Sequence, residues 1–209
     1  MTLPAAELRR QFGDIDIYLF DQLLRGRITK GMRVLDAGCG DGRNLVYLMR
    51  EGFEVWGVDQ SAEAVAATRR LAAELAPRLA PERFAVQPVE RMPFADGVFD
   101  AVISSAVLHF ARDEAQWRSM VREMWRVLAP AGLLFARLAS TIGHEARVRL
   151  VSGRRYIMPD GEERFLVDED FLMAATRGLG ADVLDPLKTT VVQATRSMTT
   201  WVVRKRVTR

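Results

Sequence analysis

The strongest constraint on this 209-residue chain is an alternation: apolar runs of strand length are separated by segments whose apolar residues recur at helical spacing. Parallel strands need crossover connections, usually helices, so the alternation calls for a parallel sheet with helices packed on it. Met32 to Ala37, Glu54 to Val58, Phe84 to Val89, Val98 to Ser104 and Leu133 to Leu138 read as the five core strands. Several are apolar almost throughout, as strands covered on both faces must be.

Between them, Asn44 to Glu51 reads as a helix stopped by Gly52, and Ser61 as the cap of a helix running to about Pro77. Trp117, Met120, Val121, Met124, Trp125 and Leu128 form a core-facing stripe on a third, with Arg118, Arg122, Glu123 and Arg126 opposite. Beyond the fifth strand the pattern weakens. Residues 140–166 read as a lid or insertion, with Pro159-Asp160-Gly161 as a turn, and Asp168 as the cap of a helix to about Arg177. Ala181 to Leu187 and Thr199 to Lys205 then suit a closing antiparallel strand pair. Residues 1–30 read as a helical cover over the cleft. The expectation is one α/β domain spanning 1–209: a doubly wound, Rossmann-like, mostly parallel sheet of seven strands ending in an antiparallel pair.

Hydrophobic residues at 49% and charged residues at 27% are ordinary globular values and argue against a disordered or fibrous chain. The longest apolar stretches, such as Gly132 to Ala136, fall far short of a membrane span, and no signal-peptide pattern opens the chain. A cytoplasmic protein without membrane association is expected. The lone Cys39 can make neither an internal disulfide nor a cysteine-rich metal site and reads as a buried filler. No metal is expected. Much of the net charge of +3 sits in Arg204-Lys205-Arg206 and Arg209, a short tail of the kind that is usually solvated, so nucleic acid is not the expected partner.

The chemistry is carried by Val34-Leu35-Asp36-Ala37-Gly38-Cys39-Gly40-Asp41-Gly42-Arg43-Asn44, a strand entering a glycine-rich turn and then a helix. Glycines there let the backbone approach a ligand closely, and the helix start offers free N–H groups. A dinucleotide site would use G-x-G-x-x-G, whereas Gly38, Gly40 and Gly42 give G-x-G-x-G behind an acidic strand end. Asp36 would repel a pyrophosphate but can accept hydrogen bonds from a cationic amino-acid moiety. Asp59, ending the second strand beside Gln60, can take both hydroxyls of a ribose.

Together these residues resemble the class I S-adenosylmethionine-dependent methyltransferases over the core from Met32 to Leu138. The resemblance implies S-adenosylmethionine as cofactor and S-adenosylhomocysteine as product. It assigns Asp36, Gly38 and Gly40 to the methionine part and Asp59 to the ribose. Gly40-Asp41-Gly42-Arg43-Asn44 with Tyr47-Leu48 is similar to the tellurite-resistance methyltransferases, which implies that Arg43 contacts the cofactor carboxylate; a surface salt bridge is the plainer alternative. Val89-Glu90-Arg91-Met92-Pro93-Phe94 is similar to the family's third-strand loop, with one departure: Pro88 stands where many relatives carry an acid for the adenine amine. Glu90, or the backbone N–H of Val89, would then serve the base.

Ser104 and Ser105 end the fourth strand, where an open α/β sheet places its ligand crevice, and Ser104 joins the expected binding residues. Asp100 reads as a residue orienting that strand. His109 is the one weak candidate for a general base, a lining or structural histidine being at least as good a reading; His144 has less support. Arg147, Arg149, Arg154 and Arg155 could steer an anionic acceptor or form a solvated face. Without an obvious base, the expected acceptor is a small molecule that is already nucleophilic, such as a thiol or a chalcogen oxyanion. The alternatives are a nicotinamide oxidoreductase and a non-catalytic, cofactor-binding or RNA-associated module.

Overall fold

In the computed structural model of the chain, residues 4–193 and 195–207 are described. Arg209 of the basic tail lies outside the described residues. Five parallel strands form the centre: β1 (Arg33–Ala37), β2 (Glu54–Asp59), β3 (Phe84–Val86), β4 (Phe99–Ser105) and β5 (Leu128–Ala139). They are arranged β5-β4-β1-β2-β3, so the order reverses at β1 and opens a crevice above the strand ends there.

Period-two alternation divides the core by sheet face. Val34, Ile103 and Phe135 pack on one side with Leu19, Leu48 and Val65. Leu35, Val102 and Leu134 pack on the other with Trp117, Met124 and Trp201. The first side is covered by α2 (Ile17–Leu24), α3 (Val46–Arg50) and α4 (Ala62–Leu75), with α1 (Ala5–Phe12) packed outside on α3 through Phe12 and Tyr47, and the second by α5 (Glu114–Val127) and α6 (Glu169–Gly178). Burying each large apolar side chain contributes on the order of 1.5–3 kcal/mol. The expected caps are present: Ser61 accepts from the N–H of Ala64 and Asp168 from that of Phe171. The helix read from Asn44 is shorter than expected, because Gly42 to Leu45 is spent on a turn closed by the Leu45 N–H on the Gly42 carbonyl at 2.8 Å.

The edge departs from the seven-stranded expectation. Among the described residues the main sheet has eight strands: β11 (Arg196–Lys205) runs antiparallel to β5, and both β9 (Ala181–Val183) and β10 (Lys188–Val192) pair with β11. The strand read as Ala181 to Leu187 breaks after Val183 because Pro186 lacks an N–H and Asp185 turns inward to Arg27 at 2.7 Å. β9 and β10 thus share one edge position beside β11. The third core strand likewise ends at Val86, before Pro88, and leaves Val89 and Glu90 in a loop.

Within the insertion at 140–166, β6 (Arg149–Ser152), β7 (Arg155–Ile157) and β8 (Glu163–Phe165) form a separate three-stranded antiparallel sheet. Among the described residues, no helix is long and apolar enough to cross a membrane.

Candidate active site

The crevice above β1 and its neighbours is a cavity of about 640 Å³, within the range of small-molecule sites. One wall is the turn after β1. The N–H groups of Gly38 and Cys39 donate to the Val58 carbonyl at 2.8 and 2.9 Å, folding the turn across the end of β2. Gly38 has φ +92°, and a Cβ there would fall 2.3 Å from a Val107 methyl, so glycine is required by both backbone and space. Gly40 has φ +55°, but a Cβ there would meet nothing within 4 Å. The space beside Gly40 is open to a ligand.

Asp59 locks this wall together. Its Oδ2 accepts from the Gly40 N–H at 3.0 Å and its Oδ1 from the Ser61 N–H at 2.9 Å, which leaves each oxygen a further lone pair for the cavity. Gln60 lines the cavity beside it. Asp36 is fully buried behind the turn rather than at the cavity surface, and neither of its carboxylate oxygens has a hydrogen-bond partner among the described residues. Burial pushes its pKa up to about 8, against the pull of Arg43 and aided by the charge of Asp59.

Arg43 lines the cavity but is already engaged: it donates to the Asp14 carbonyl at 3.0 Å and to Ser105 Oγ at 3.1 Å. Ser105 Oγ donates in turn to Asp16, which also receives Arg137 at 3.0 Å. Through these bonds, and the Asp16 N–H on Asn44 Oδ1 at 3.0 Å, the N-terminal helices brace the site from behind. No described residue before Gly38 is among those lining the cavity, so residues 4–30 touch the site through these bonds rather than through its lining.

The opposite wall comes from Val89, Glu90 and the segment after β4. Ser105, not Ser104, lines it: Ser104 shares the parity of Val102, points to the other sheet face and is wholly buried with its hydroxyl unpartnered. The strand period itself contains this correction. Ala106 follows with φ +63°, a left-handed conformation costing a residue with a Cβ about 1–2 kcal/mol and often found at functional sites. Phe110, Arg112, Gln116 and Met120 complete the wall. Met120 belongs to the stripe read from sequence as core, and it serves both core and cavity.

His109 does not line the cavity. Its Nδ1 accepts from the Ala139 N–H at 3.3 Å, and burial, with the charge of Arg164 nearby, lowers its pKa to about 4. Such an imidazole is neutral near pH 7, has one nitrogen committed to the backbone, and is a poor base. The candidate base is thereby replaced by a structural histidine. Cys39 does line the cavity, but burial raises its thiol pKa, which leaves it inert as a nucleophile. Among the described residues, no cluster of three or more His, Cys, Asp or Glu side chains is placed to hold a metal.

The insertion supports this wall from outside. Arg155 pairs with Glu163 at 2.7 Å and donates to the Ala111 carbonyl at 2.9 Å, while Arg164 lies 4.8 Å over the Phe110 ring. Arg154 pairs with Asp168 at 2.8 Å. Of the four arginines read as either a steering patch or a solvated face, Arg154 and Arg155 are therefore held in structural pairs, while Arg147 and Arg149 are exposed. Asp100 accepts from the Arg33 backbone at 2.8 Å and ties β1 to β4 away from the cavity, as a strand-orienting residue should.

Residues 35–136 match the methyltransferase domain family. An uncharacterized methyltransferase of Synechocystis sp. is 36% identical over 107 residues, 51% of this chain and 46% of that protein. A malonyl-[acyl-carrier protein] O-methyltransferase of Enterobacter lignolyticus is 36% identical over 109 residues, 52% and 39% of the two chains. The chain therefore spans about half or less of the length of these relatives. The 1,6-didemethyltoxoflavin-N1-methyltransferase of Burkholderia thailandensis, solved with S-adenosylhomocysteine, shares the fold at a TM-score of 0.71 with 19% identity, covering 97% of this chain and 82% of its own. Over Leu35 to Ala136 the chain is thus similar to methyltransferases, and it shares its fold with an S-adenosylhomocysteine-bound one. The matched segment runs from Leu35 to Ala136 and contains the turn, Asp59, the Val89 loop and the wall after β4.

Proposed function

We propose that this protein uses S-adenosylmethionine to methylate a small acceptor that is already nucleophilic, a thiol or a chalcogen oxyanion, as in the tellurite-resistance methyltransferases. The observation that carries the reading is the joint between Asp59 and the Gly40 N–H beside open space. It presents a carboxylate with spare lone pairs next to a backbone that a ligand can approach.

The residues fit the cofactor. Asp59 and Gln60 would hold the ribose, Gly38 and Gly40 would leave room for the methionine chain, and Val89 and Glu90 would face the base. Arg43, spoken for by Asp14 and Ser105, would shape the end of the pocket and reach a carboxylate only with its remaining N–H groups. The orphaned Asp36 would stabilise a nearby cation by ionising as it arrives. The cofactor supplies an activated methyl on a sulfonium centre. The protein's own work is to align the acceptor with that methyl and to keep water out.

The acceptor's chemistry follows from the groups lining the cavity. No histidine or lysine is among the described lining residues, and each of the lining carboxylates, Asp41, Asp59 and Glu90, accepts a hydrogen bond from a neighbouring N–H group. An acceptor that needs a proton removed finds no poised base, whereas a thiolate or an oxyanion needs none.

The test is S-adenosylhomocysteine formation with tellurite, selenite and small thiols, against catechol and primary amines. Turnover with the first group, retained in His109→Gln, is expected. Turnover confined to catechol or amines, with a rate inflection near pH 6.5 that His109→Gln abolishes, would contradict the acceptor assignment.

A further inference from the structure

Position 88, where the family resemblance implies an acid, is proline, so a base in this cavity would lack that acceptor unless another group supplies one. Glu90 lines the cavity two residues on and is held in a defined way. Its Oε1 accepts from Gln116 Nε2 at 2.9 Å. The other end of the Gln116 amide accepts from the Arg112 N–H at 2.9 Å, and the Gln116 backbone N–H is fixed by the α5 cap, Asp113, at 2.8 Å. The glutamine is thus clamped at three points, and hydrogen bonding among the described residues engages only one oxygen of Glu90, leaving Oε2 to a ligand. Val89 and Met120, both nearly buried, line the same wall and supply apolar surface for a flat ring.

Resting on the cofactor reading above, we propose that Gln116 is a positioning residue for nucleobase recognition: it fixes Glu90 so that Oε2 accepts from the exocyclic amine of adenine, replacing the acid absent at Pro88. A hydrogen bond to a charged acceptor is stronger than a neutral one and is lost completely when the donor becomes a carbonyl. The pair should therefore select a 6-amino purine over a 6-oxo purine. If Glu90 and Gln116 merely staple the loop to α5, removing the bond would change affinity for both bases alike.

The experiment is calorimetric titration of wild type, Glu90→Gln and Gln116→Leu with S-adenosylhomocysteine and with S-inosylhomocysteine, which differs at the base. Thermal melts verify that each variant folds. Wild type should prefer the adenosyl compound by about tenfold or more. Glu90→Gln, whose amide can donate to a 6-oxo group, should lose most of that preference; Gln116→Leu should lose several-fold through weaker adenosyl binding alone. Equal binding of both compounds by wild type, or an unchanged preference in both variants, would overturn the inference. Failure of wild type to bind either compound would instead overturn the cofactor reading, and this inference with it.

Discussion

The two walls of the cavity are built by different means. The wall after β1 is almost entirely local: glycines, the end of β2 and a carboxylate that bonds to the turn and to its own helix start, all between Gly38 and Ser61. The wall after β4 depends on distant segments, with Arg155 gripping Ala111, Arg164 covering Phe110 and Gln116 clamping Glu90. A wall of the first kind fixes its ligand chemistry in a short stretch of chain. A wall of the second kind can change its surface whenever a remote loop changes. Selection of the cofactor's ribose and methionine part, on the first wall, and selection of its base and of the acceptor, on the second, should therefore respond differently to mutation.

The sharpest separation is expected between two glycines of one turn. Gly38→Ala forces a Cβ into Val107 at a left-handed φ and should destabilise the fold by about 2–4 kcal/mol, read from chemical denaturation, with partial recovery in combination with Val107→Ala. Gly40→Ala meets no protein atom and should cost stability only about 1 kcal/mol, while abolishing most cofactor affinity. If a folded Gly40→Ala binds the cofactor as tightly as wild type, the open space at Gly40 is not the ligand's.

A smaller effect is expected from pH. The folded pKa of Asp36, about 8, lies above its ordinary value of 3.8, so the folded state holds a proton that the unfolded state releases. That contribution is fully present below about pH 3.8 and is lost as pH rises toward 8. Asp36→Asn cannot titrate, so its melting temperature should gain on wild type between pH 5 and pH 8. A constant difference across that range would place an ionised, solvated carboxylate at Asp36.

The smallest effect belongs to the remote support. Arg155→Ala removes a partly exposed ion pair and one bond to the cavity wall, and should cost about 1 kcal/mol. Cofactor affinity should stay within about twofold while acceptor KM rises. An equal loss of cofactor affinity would erase the distinction between the walls.

The same division explains how much was legible in the sequence. The turn after β1, Asp59 and the caps at Ser61 and Asp168 are short-range patterns in which residue type dictates geometry, and each stands where its pattern placed it. The split edge was not legible, because only the inward turn of Asp185 toward Arg27 shows that Pro186 interrupts a strand rather than ends one. The roles of His109 and Gln116 depend on contacts distant in the chain: the weak reading of His109 as a base could be weighed against a structural one only once its backbone partner at Ala139 is seen, and nothing in the sequence marks Gln116 until Glu90 closes on it. The choice between Ser104 and Ser105 was available from the two-residue period of β4.

The central claim is that the carboxylate at the end of β2 and the glycine turn beside it form one cofactor site. Isothermal titration of wild type and Asp59→Ala with S-adenosylmethionine tests it most directly. Wild type should bind with a Kd on the order of micromolar, and the variant, still folded, should bind at least about a hundredfold more weakly for the loss of charged hydrogen bonds. No binding by wild type, or unchanged binding by a folded Asp59→Ala, would contradict it.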